Sequence, residues 1–296
     1  MSDLWSDLLD CLGLRALPSP PPQPGTGGTG VRPPSPQSAR LVFEGPNQQL
    51  SYHRLFGGQL LAQFVRAASL ACPGKAVKSL HVLFPRAGRT DETVRYEAEC
   101  LHEGGTFATW TVVARQRSGV VATASVSMHA DEGGPDHQTV APVAAPLPPE
   151  HRVELDLLPW ETRASADLDS PAAQPPELDL WMRTPEADPH LAPALLAYAT
   201  DLTLIGTALR PLEGVSQQDA GKAFTSAVTS HTVWFHRPFR TDEWLLLRQH
   251  SPLVAHGRCH GRGDVLTTDG SLVASYAQEA LLRFRPADRP ADQPSS

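Results

Sequence analysis

The chain has 296 residues, 41% of them apolar, which is enough for one large or two ordinary folded domains with a substantial core. Its formal charge of −7, from 25 basic and 32 acidic residues, leaves no basic surplus for nucleic acid. The acidic opening MSDLWSDLLD lacks a signal peptide's basic region, and no run reaches the roughly 18 apolar residues of a membrane span. We therefore expect a cytoplasmic protein that binds neither nucleic acid nor membrane.

The first 40 residues predict a short helix and a tether. Residues 3 to 14 place leucines and Trp5 at helical spacing, which indicates an amphipathic helix. The run PSPPPQPGTGGTGVRPPSP at 18–36 has too few apolar residues to bury and predicts a flexible tether.

The next region, 41–132, predicts one helix followed by antiparallel strands. QLLAQFVRAASLA at 59–71 is apolar enough for a core helix. Alternating apolar and polar residues then predict strands near 78–85, 93–102, 107–117 and 120–129. Four scattered cysteines without a CxxC pair predict neither disulfides nor a bound metal.

A Pro- and Ala-rich linker at 133–176 leads to a second region of the same kind at 177–286. The linker either crosses the surface or joins two domains, and PWETR at 159–163 is a candidate short ordered piece within it. LWMR at 180–183 opens the second sheet, 190–210 forms a long helix, and strands follow near 225–236, 244–251, 256–267 and 271–284. Asp269 and Gly270 are expected to supply the positive φ angles of the last hairpin. Residues 287–296 are predicted to form a disordered tail.

An internal repeat connects the two regions. FPRAGRTDE at 84–92 and FHRPFRTDE at 235–243 share six identities at one offset, and VVATASV at 120–126 aligns with LVASYAQ at 272–278. Two β-rich segments would not agree at this level by chance. We infer that a helix-then-antiparallel-sheet unit was duplicated and fused, which gives an α+β protein.

Asp201 and Gln278 are the polar residues whose positions need an explanation. Asp201 is the sole charge in the apolar helix from 194 to 209, so it either caps a broken helix or is kept for chemistry. Gln278 shares a core-like strand face, whereas its repeat counterpart is Val126. It either satisfies neighbouring backbone or orients a water or an oxyanion.

Several motifs together resemble the acyl-CoA thioesterase II family. They are RLFGGQLLAQFVRAA at 54–68, LLAYATDL at 195–202, WFHRPF at 234–239, DEWLL at 242–246 and DGSLVASYAQEALLR at 269–283. The resemblance implies a double hotdog fold of two fused helix-in-sheet units, and hydrolysis of acyl-CoA without a metal, a cofactor or a covalent serine intermediate. It favours a catalytic role for Asp201 and Gln278.

Two positions depart from the family pattern, Val228 and Ser230, and at the second the family usually has an Asp. The family's third catalytic residue, a Thr or Ser six residues before the Trp of WFH, is Val228 here. On simple strand alternation Ser230 shares the face of Val228, so we predict that Ser230 supplies the missing hydroxyl. Thr229, through a register shift, and Ser226, one step earlier, remain alternatives.

The expected mechanism is attack of a water held by Asp201 and Gln278 on the thioester carbonyl, with Asp201 taking the proton. Gly57 and Gly58, where the first core helix begins, allow close backbone approach to the substrate. Arg86 and Arg237 are candidates to bind the CoA phosphates. The repeated RTDE segments are better explained as turns that close their own ion pairs.

Other functions are weighed against hydrolysis. The hydratases of this fold need an Asp and His pair on one helix, and LTLIGTAL after Asp201 has no His. A protein that binds acyl-CoA or acyl-carrier thioesters without efficient turnover is the stronger alternative, because Val228 removes a hydroxyl. A fused pair of hotdogs already resembles a dimer, and further homo-oligomerisation stays open.

Overall fold

The computed structural model describes residues 3–18, 40–52 and 54–285. The predicted tether at 18–36, apart from Pro18, and the predicted tail at 287–296 lie outside the described residues.

The described residues of the N-terminal half form two helices and six strands. A first helix docks at the edge of the half, and a longer core helix precedes a run of long antiparallel strands. These elements are α1 (Leu4–Cys11), β1 (Arg15–Leu17), β2 (Arg40–Gly45), α2 (Gly57–Ala71), β3 (Ala76–Leu83), β4 (Val94–Glu103), β5 (Phe107–Gln116) and β6 (Gly119–His129).

The C-terminal half repeats this plan with its helix in two pieces. Short 3-10 turns at Pro149–His151, Pro189–Leu191 and Gln217–Asp219 join its main elements. These elements are β7 (Arg152–Val153), β8 (Glu161–Ala164), β9 (Glu177–Arg183), α3 (Ala192–Thr200), α4 (Leu204–Leu209), β10 (Phe224–Phe235), β11 (Leu245–Ala255), β12 (Arg258–Thr267) and β13 (Leu272–Phe284).

All thirteen strands belong to one antiparallel sheet in the order β1-β2-β4-β5-β6-β3-β10-β13-β12-β11-β9-β8-β7. The order of the first half, read outward from β3, matches the order of the second half read outward from β10, except that the second half ends in one additional strand, β7. β3 and β10 pair directly, with Leu80 opposite Val233, and so join the halves at the centre. This is the duplicated helix-in-sheet unit that the internal repeat predicts, and it confirms the α+β double hotdog class.

The helices fill the interior that the sheet encloses. α2 packs on strands of its own half and against α3, and α4 packs on β11 and β12. Strand β5 alternates strictly between buried and more exposed residues, as expected when one face covers the helices. A single apolar cluster runs from Leu8 in α1 to Tyr276 in β13, so the two halves share one core.

The linker predicted at 133–176 first crosses the surface of the C-terminal half and then joins its sheet as β7 and β8. Gln138 donates to the Gly270 carbonyl, and Arg248 donates to the carbonyls of Ala141 and Pro142. PWETR lies where β8 begins. Of the described residues, only the apolar stretch Pro189–Leu209 is long and apolar enough to cross a membrane, and most of it is buried within the protein.

Two sequence-based expectations about local structure are wrong. The helix expected over 190–210 is broken, because α3 ends at Thr200 and α4 begins at Leu204. In the last hairpin only Gly270 has a positive φ, of 85°, whereas Asp269 accepts hydrogen bonds from Thr267 and Ser271. The Asp side chain stabilises this turn through its oxygens, which requires no left-handed backbone.

Candidate active site

Asp201 occupies the break between α3 and α4. It is the C-cap residue of α3, and its side chain is only 5% exposed. Burial raises the pKa of this carboxyl from 3.8 to about 7, although a hydrogen bond from the backbone N–H of Gly58 lowers it in part. A carboxylate that ionises near neutral pH is suited to accept a proton in catalysis.

The start of α2 approaches this carboxylate very closely. A Cβ atom added at Gly57 would lie 2.8 Å from Asp201 Oδ2, and one added at Gly58 would lie 2.5 Å from the Tyr198 carbonyl oxygen. Both glycines are therefore required by the contact between α2 and α3. Two helix ends, one from each half, thus meet at Asp201.

Gln278 lies in the centre of β13, opposite His231 of β10. His231 Nδ1 is 2.9 Å from Gln278 Oε1, and His231 Nε2 is 3.0 Å from Thr200 Oγ1. All three side chains are buried. This chain of contacts connects Gln278 to Thr200, the residue that immediately precedes Asp201.

Two buried polar atoms at this site lack a partner within the described part of the chain. One is Asp201 Oδ1, an acceptor, and the other is Gln278 Nε2, a donor. Buried polar groups are nearly always hydrogen-bonded, and unpaired ones carry a free-energy penalty. An unpaired acceptor and an unpaired donor suit a molecule that both donates and accepts, as water does.

A β-bulge in β10 decides which hydroxyls face this site. Val228 pairs with Ala280 and His231 with Gln278, but the register shifts between Val228 and Ser230. Because Gln278 and Ala280 share one face of β13, Val228 and His231 share that face too, and Ser230 falls on the opposite one. The expectation that Ser230 shares the face of Val228 is therefore wrong.

The other two candidate hydroxyls differ from each other. Thr229 is the extra residue of the bulge, and its hydroxyl donates to the Glu279 carbonyl at 3.0 Å. Ser226 pairs with Leu282, which is on the same face of β13 as Ala280, so Ser226 shares the face of Val228. Ser226, and not Ser230, is the hydroxyl that neighbours Val228 on the inner face.

A cavity of about 460 Å³ opens beside Asp201. Both halves of the chain contribute to its wall, which includes the start of α2, the segment after β3, the break before α4 and the first part of β10. The residues from these segments that matter for chemistry are Arg54, Gly57, Arg86, Asp201, Ser226 and Val228. The cavity is thus formed only when the two halves are together.

The arginines predicted to bind phosphate have different surroundings. Arg86 lines the cavity and donates to the Ser118 carbonyl. Arg237 pairs instead with Asp136 of the linker and donates to Gln138 and to the Leu272 carbonyl. Its guanidinium therefore secures the linker to the C-terminal half.

The RTDE segments behave as predicted. Arg89 pairs with Asp91, and Arg240 pairs with Asp242, so each segment closes its own ion pair.

Sequence reasoning missed Arg54 and His231. Arg54 lines the cavity and has a buried Nε without a partner in the described residues. The signal for His231 was available, because its repeat counterpart is Leu80 just as that of Gln278 is Val126. A His in the place of a core Leu points to the same site as a Gln in the place of a core Val.

Family models match both halves of the chain. The model described as "Acyl-CoA thioesterase N-terminal domain" covers residues 47–129, and the one described as "Acyl-CoA thioesterase C-terminal domain" covers residues 130–282. Together they include every residue of the site described above.

Whole-length relatives agree with these models. Acyl-CoA thioesterase 2 of Haemophilus influenzae is 31% identical over 82% of this chain and 93% of its own length. Human acyl-coenzyme A thioesterase 8 is 28% identical over 83% of this chain and 85% of its own length. The crystal structure of acyl-CoA thioesterase II TesB2 from Mycobacterium marinum is 31% identical, covers 84% of this chain and 94% of that one, and superposes with a TM-score of 0.69. With its double hotdog fold, with family models that match both halves and with a whole-length relative that is 31% identical, the chain belongs to the acyl-CoA thioesterase II family and is a thioester hydrolase.

Proposed function

We propose that this protein hydrolyses acyl-CoA to a free carboxylic acid and CoA by direct attack of a water held between Asp201 and Gln278. The observation that carries the proposal is the pair of unsatisfied buried atoms, Asp201 Oδ1 and Gln278 Nε2, one an acceptor and one a donor. A water molecule satisfies both by donating to the carboxylate and accepting from the amide.

In the first step Asp201 removes a proton from this water as the water oxygen attacks the thioester carbonyl carbon. The pKa of about 7 means that about half of the Asp201 carboxyl groups are ionised in neutral solution, and that the ionised form is a stronger base than an exposed Asp. The carbonyl oxygen gains negative charge, and the resulting tetrahedral intermediate collapses by breaking the C–S bond. The proton on Asp201 then passes to the departing sulfur, which restores the base.

The helix ends position the base. The Gly58 backbone N–H forms a hydrogen bond with the Asp201 carboxylate. We therefore change the proposed role of Gly58 from contacting the substrate to holding the base. Gly57 lines the cavity, and its lack of a side chain lets substrate and carboxylate approach the start of α2.

We assign the third position of the site to Ser226. Val228 lines the cavity where the family carries a hydroxyl, and an isopropyl group cannot bind water. Ser226 lines the same cavity on the same strand face. Loss of one oriented hydrogen-bond donor typically lowers the reaction rate about 10² to 10³-fold. Because the Ser226 hydroxyl lies two residues from the family position, we expect it to offset only part of this loss.

Arg54 and Arg86 are proposed to bind the CoA phosphates, because both line the cavity. The buried and unpaired Nε of Arg54 supplies a donor for a phosphate oxygen. The apolar wall formed by side chains such as Leu60 and Ile205 would hold the acyl chain.

A cytoplasmic location is proposed as well. All four cysteines are free and buried, as is usual in a reducing compartment.

A second candidate function is binding of acyl-CoA or acyl-carrier thioesters without efficient turnover. Val228 favours it, because this residue removes a hydroxyl from the catalytic set.

Thiol release from acyl-CoA, followed with a chromogenic thiol reagent, tests the proposal. We expect release by the wild type and its loss, by at least about a hundredfold, in Asp201→Asn, because an amide cannot accept the proton. Asp131→Asn changes an exposed Asp outside the cavity and is the matched control. Equal release by wild type and Asp201→Asn would remove Asp201 from the mechanism, and tight binding without release in either would support the second candidate.

A further inference from the structure

The two halves differ at one buried pair of residues. In the N-terminal half Leu80 of β3 is opposite Val126 of β6, and in the C-terminal half His231 of β10 is opposite Gln278 of β13. These are the same positions of the repeated unit. An apolar pair in one half has become a hydrogen-bonded polar pair in the other.

Stability alone gives no reason for this difference. His231 is fully buried and Gln278 is 3% exposed, and burying polar groups costs free energy even when they are paired. The Leu80 and Val126 pair shows that the unit packs well with hydrocarbon at both positions. We therefore connect the polar pair with the site at Asp201, which the C-terminal half supplies.

The contacts of His231 determine where its proton resides. The Gln278 Oε1 atom, 2.9 Å from Nδ1, is only an acceptor, so Nδ1 carries the proton and donates it. Desolvation lowers the pKa of His231 to about 4, so the ring is neutral and Nε2 has no proton. Nε2 then accepts from the Thr200 hydroxyl at 3.0 Å.

The imidazole is held by its surroundings as well as by these hydrogen bonds. Its ring stacks on Tyr276, with centroids 6.1 Å apart and planes inclined by 16°. Thr200 is fixed at the end of α3, where its single hydroxyl proton is shared between the Ala197 carbonyl at 2.9 Å and His231 Nε2 at 3.0 Å. The Gln278 oxygen is thus occupied by a rigid donor.

We propose that His231 is a positioning residue that fixes the Gln278 amide with its Nε2 hydrogens, and not its oxygen, available to the reacting oxygen atoms. The proposal rests on the proposed hydrolytic function and adds a residue to it. An amide turned by 180° would present an acceptor where the proposed water needs a donor, and would direct its NH₂ group at the N–H of His231 Nδ1, so that two donors would face each other. His231 prevents this orientation without touching the substrate.

A double-mutant cycle tests whether His231 acts through Gln278. The variants are Gln278→Val, His231→Leu and the double variant, which reproduces the pair found in the N-terminal half. We expect kcat to fall about 10² to 10³ in Gln278→Val and about 10 to 100-fold in His231→Leu, with KM little changed. The double variant should be no slower than Gln278→Val, because without the amide there is nothing for His231 to orient.

Substitutions at Thr200 provide a second, independent test of the positioning role of His231. Thr200→Val removes the hydroxyl that donates to His231 Nε2, which frees the ring to adopt the other tautomer and the amide to turn. We expect a loss of kcat of about tenfold, and recovery of most of it in Thr200→Ser, which keeps the hydroxyl.

The outcomes separate this inference from the proposed function. If Asp201→Asn abolishes thiol release but the losses from His231→Leu and Gln278→Val multiply in the double variant, His231 acts independently and the positioning role is wrong. A wild-type kcat in His231→Leu would also overturn it. If His231→Leu alone fails to fold by far-UV circular dichroism, the Thr200 variants decide, and equal kcat in Thr200→Val and Thr200→Ser then overturns the inference. Absence of thiol release in the wild type would instead contradict the proposed function.

Discussion

Two opposing requirements meet at the side chain of Asp201. It lies at the end of an apolar helix, where burial disfavours the ionised form, yet a general base must be ionised to act. A pKa of about 7 lies between these requirements, since about half of the carboxyl groups are ionised at neutral pH and the ionised form is basic enough for the proposed role of accepting a proton. Such a compromise costs folding free energy.

This cost predicts a pH-dependent difference in stability between the wild type and Asp201→Asn. Between about pH 4 and pH 7 the folded chain keeps a proton on Asp201 that the unfolded chain releases, so wild-type stability falls as pH rises through this interval. The Asn side chain does not ionise, so the free energy of unfolding of Asp201→Asn lacks this pH-dependent contribution. Its advantage in free energy of unfolding should grow from near zero at pH 4 to roughly 4 kcal/mol at pH 8. Urea unfolding at pH 4, 6 and 8 measures it, and an advantage that does not change with pH would contradict the expected ionisation.

Val228 is the residue at which a single substitution should improve the enzyme. Val228→Thr keeps the shape of the side chain and adds a hydroxyl on the inner face of β10, beside the cavity. We expect kcat for acyl-CoA hydrolysis to rise about tenfold or more, since a well-oriented hydrogen-bond donor can increase the reaction rate by a factor of about 10² to 10³. Val228→Ala, which adds space but no hydroxyl, is the control. No increase in the Thr variant would mean that Ser226 already replaces the family hydroxyl completely, and Ser226→Ala should then lower kcat.

At the scale of elements, the junction between α2 and α3 positions the Asp201 carboxylate, which is the proposed base. α2 begins with two glycines because the Asp201 carboxylate and the Tyr198 carbonyl occupy the space that side chains would need. The close approach brings the start of one helix, where backbone N–H groups are free, to the carboxylate at the end of another. The junction thus positions the base with backbone atoms, which have little freedom to move.

Gly57→Ala should therefore disable the site. Its Cβ would lie 2.8 Å from Asp201 Oδ2, which forces the carboxylate or the helix to shift. A displacement near 1 Å costs about 10²-fold in rate, so we expect kcat to fall by about that factor while far-UV circular dichroism remains that of a folded protein. Gly74→Ala, where the added Cβ meets open space, is the matched control and should retain wild-type kcat. Similar activities in the two variants would show that the junction tolerates movement.

At the scale of the whole molecule, the two halves form one continuous sheet and share one core. β3 pairs with β10 at the centre, and the cavity takes residues from both halves. The helix α1 belongs to this core as well, since Leu8 is completely buried there. The cavity is therefore built by the complete double unit, and α1 packs on the core that the two halves share.

The contribution of α1 to the core gives a stability prediction. Leu8→Ala leaves a cavity among fully buried side chains and should lower the free energy of unfolding by about 2 to 5 kcal/mol. Leu4→Ala in the same helix changes a side chain that is 39% exposed and should stay within about 0.5 kcal/mol of the wild type. Chemical denaturation of both variants measures the difference. Equal effects would show that α1 does not pack in solution as it does here.

Local pattern was sufficient to predict the repeated units and two of the site residues. Strands are predicted from alternation with a period of two, and core helices are predicted from apolar composition. Both patterns involve only residues that are close together in the sequence. Asp201 and Gln278 were identified because each violates its local pattern, one as a charge in an apolar helix and the other as an amide where the repeat has Val. The chain by itself therefore determined the fold class and named an acid and an amide.

Tertiary structure decided which other groups accompany them. The bulge after Val228 arises from pairing between β10 and β13, and it moves Ser230 to the outer face and leaves Ser226 on the inner one. The pairing of Arg237 with Asp136, and the contact of His231 with both Thr200 and Gln278, likewise join residues far apart in sequence. Register and hydrogen-bond choice depend on distant partners, because a one-residue shift reverses every side chain while leaving the local alternation unchanged.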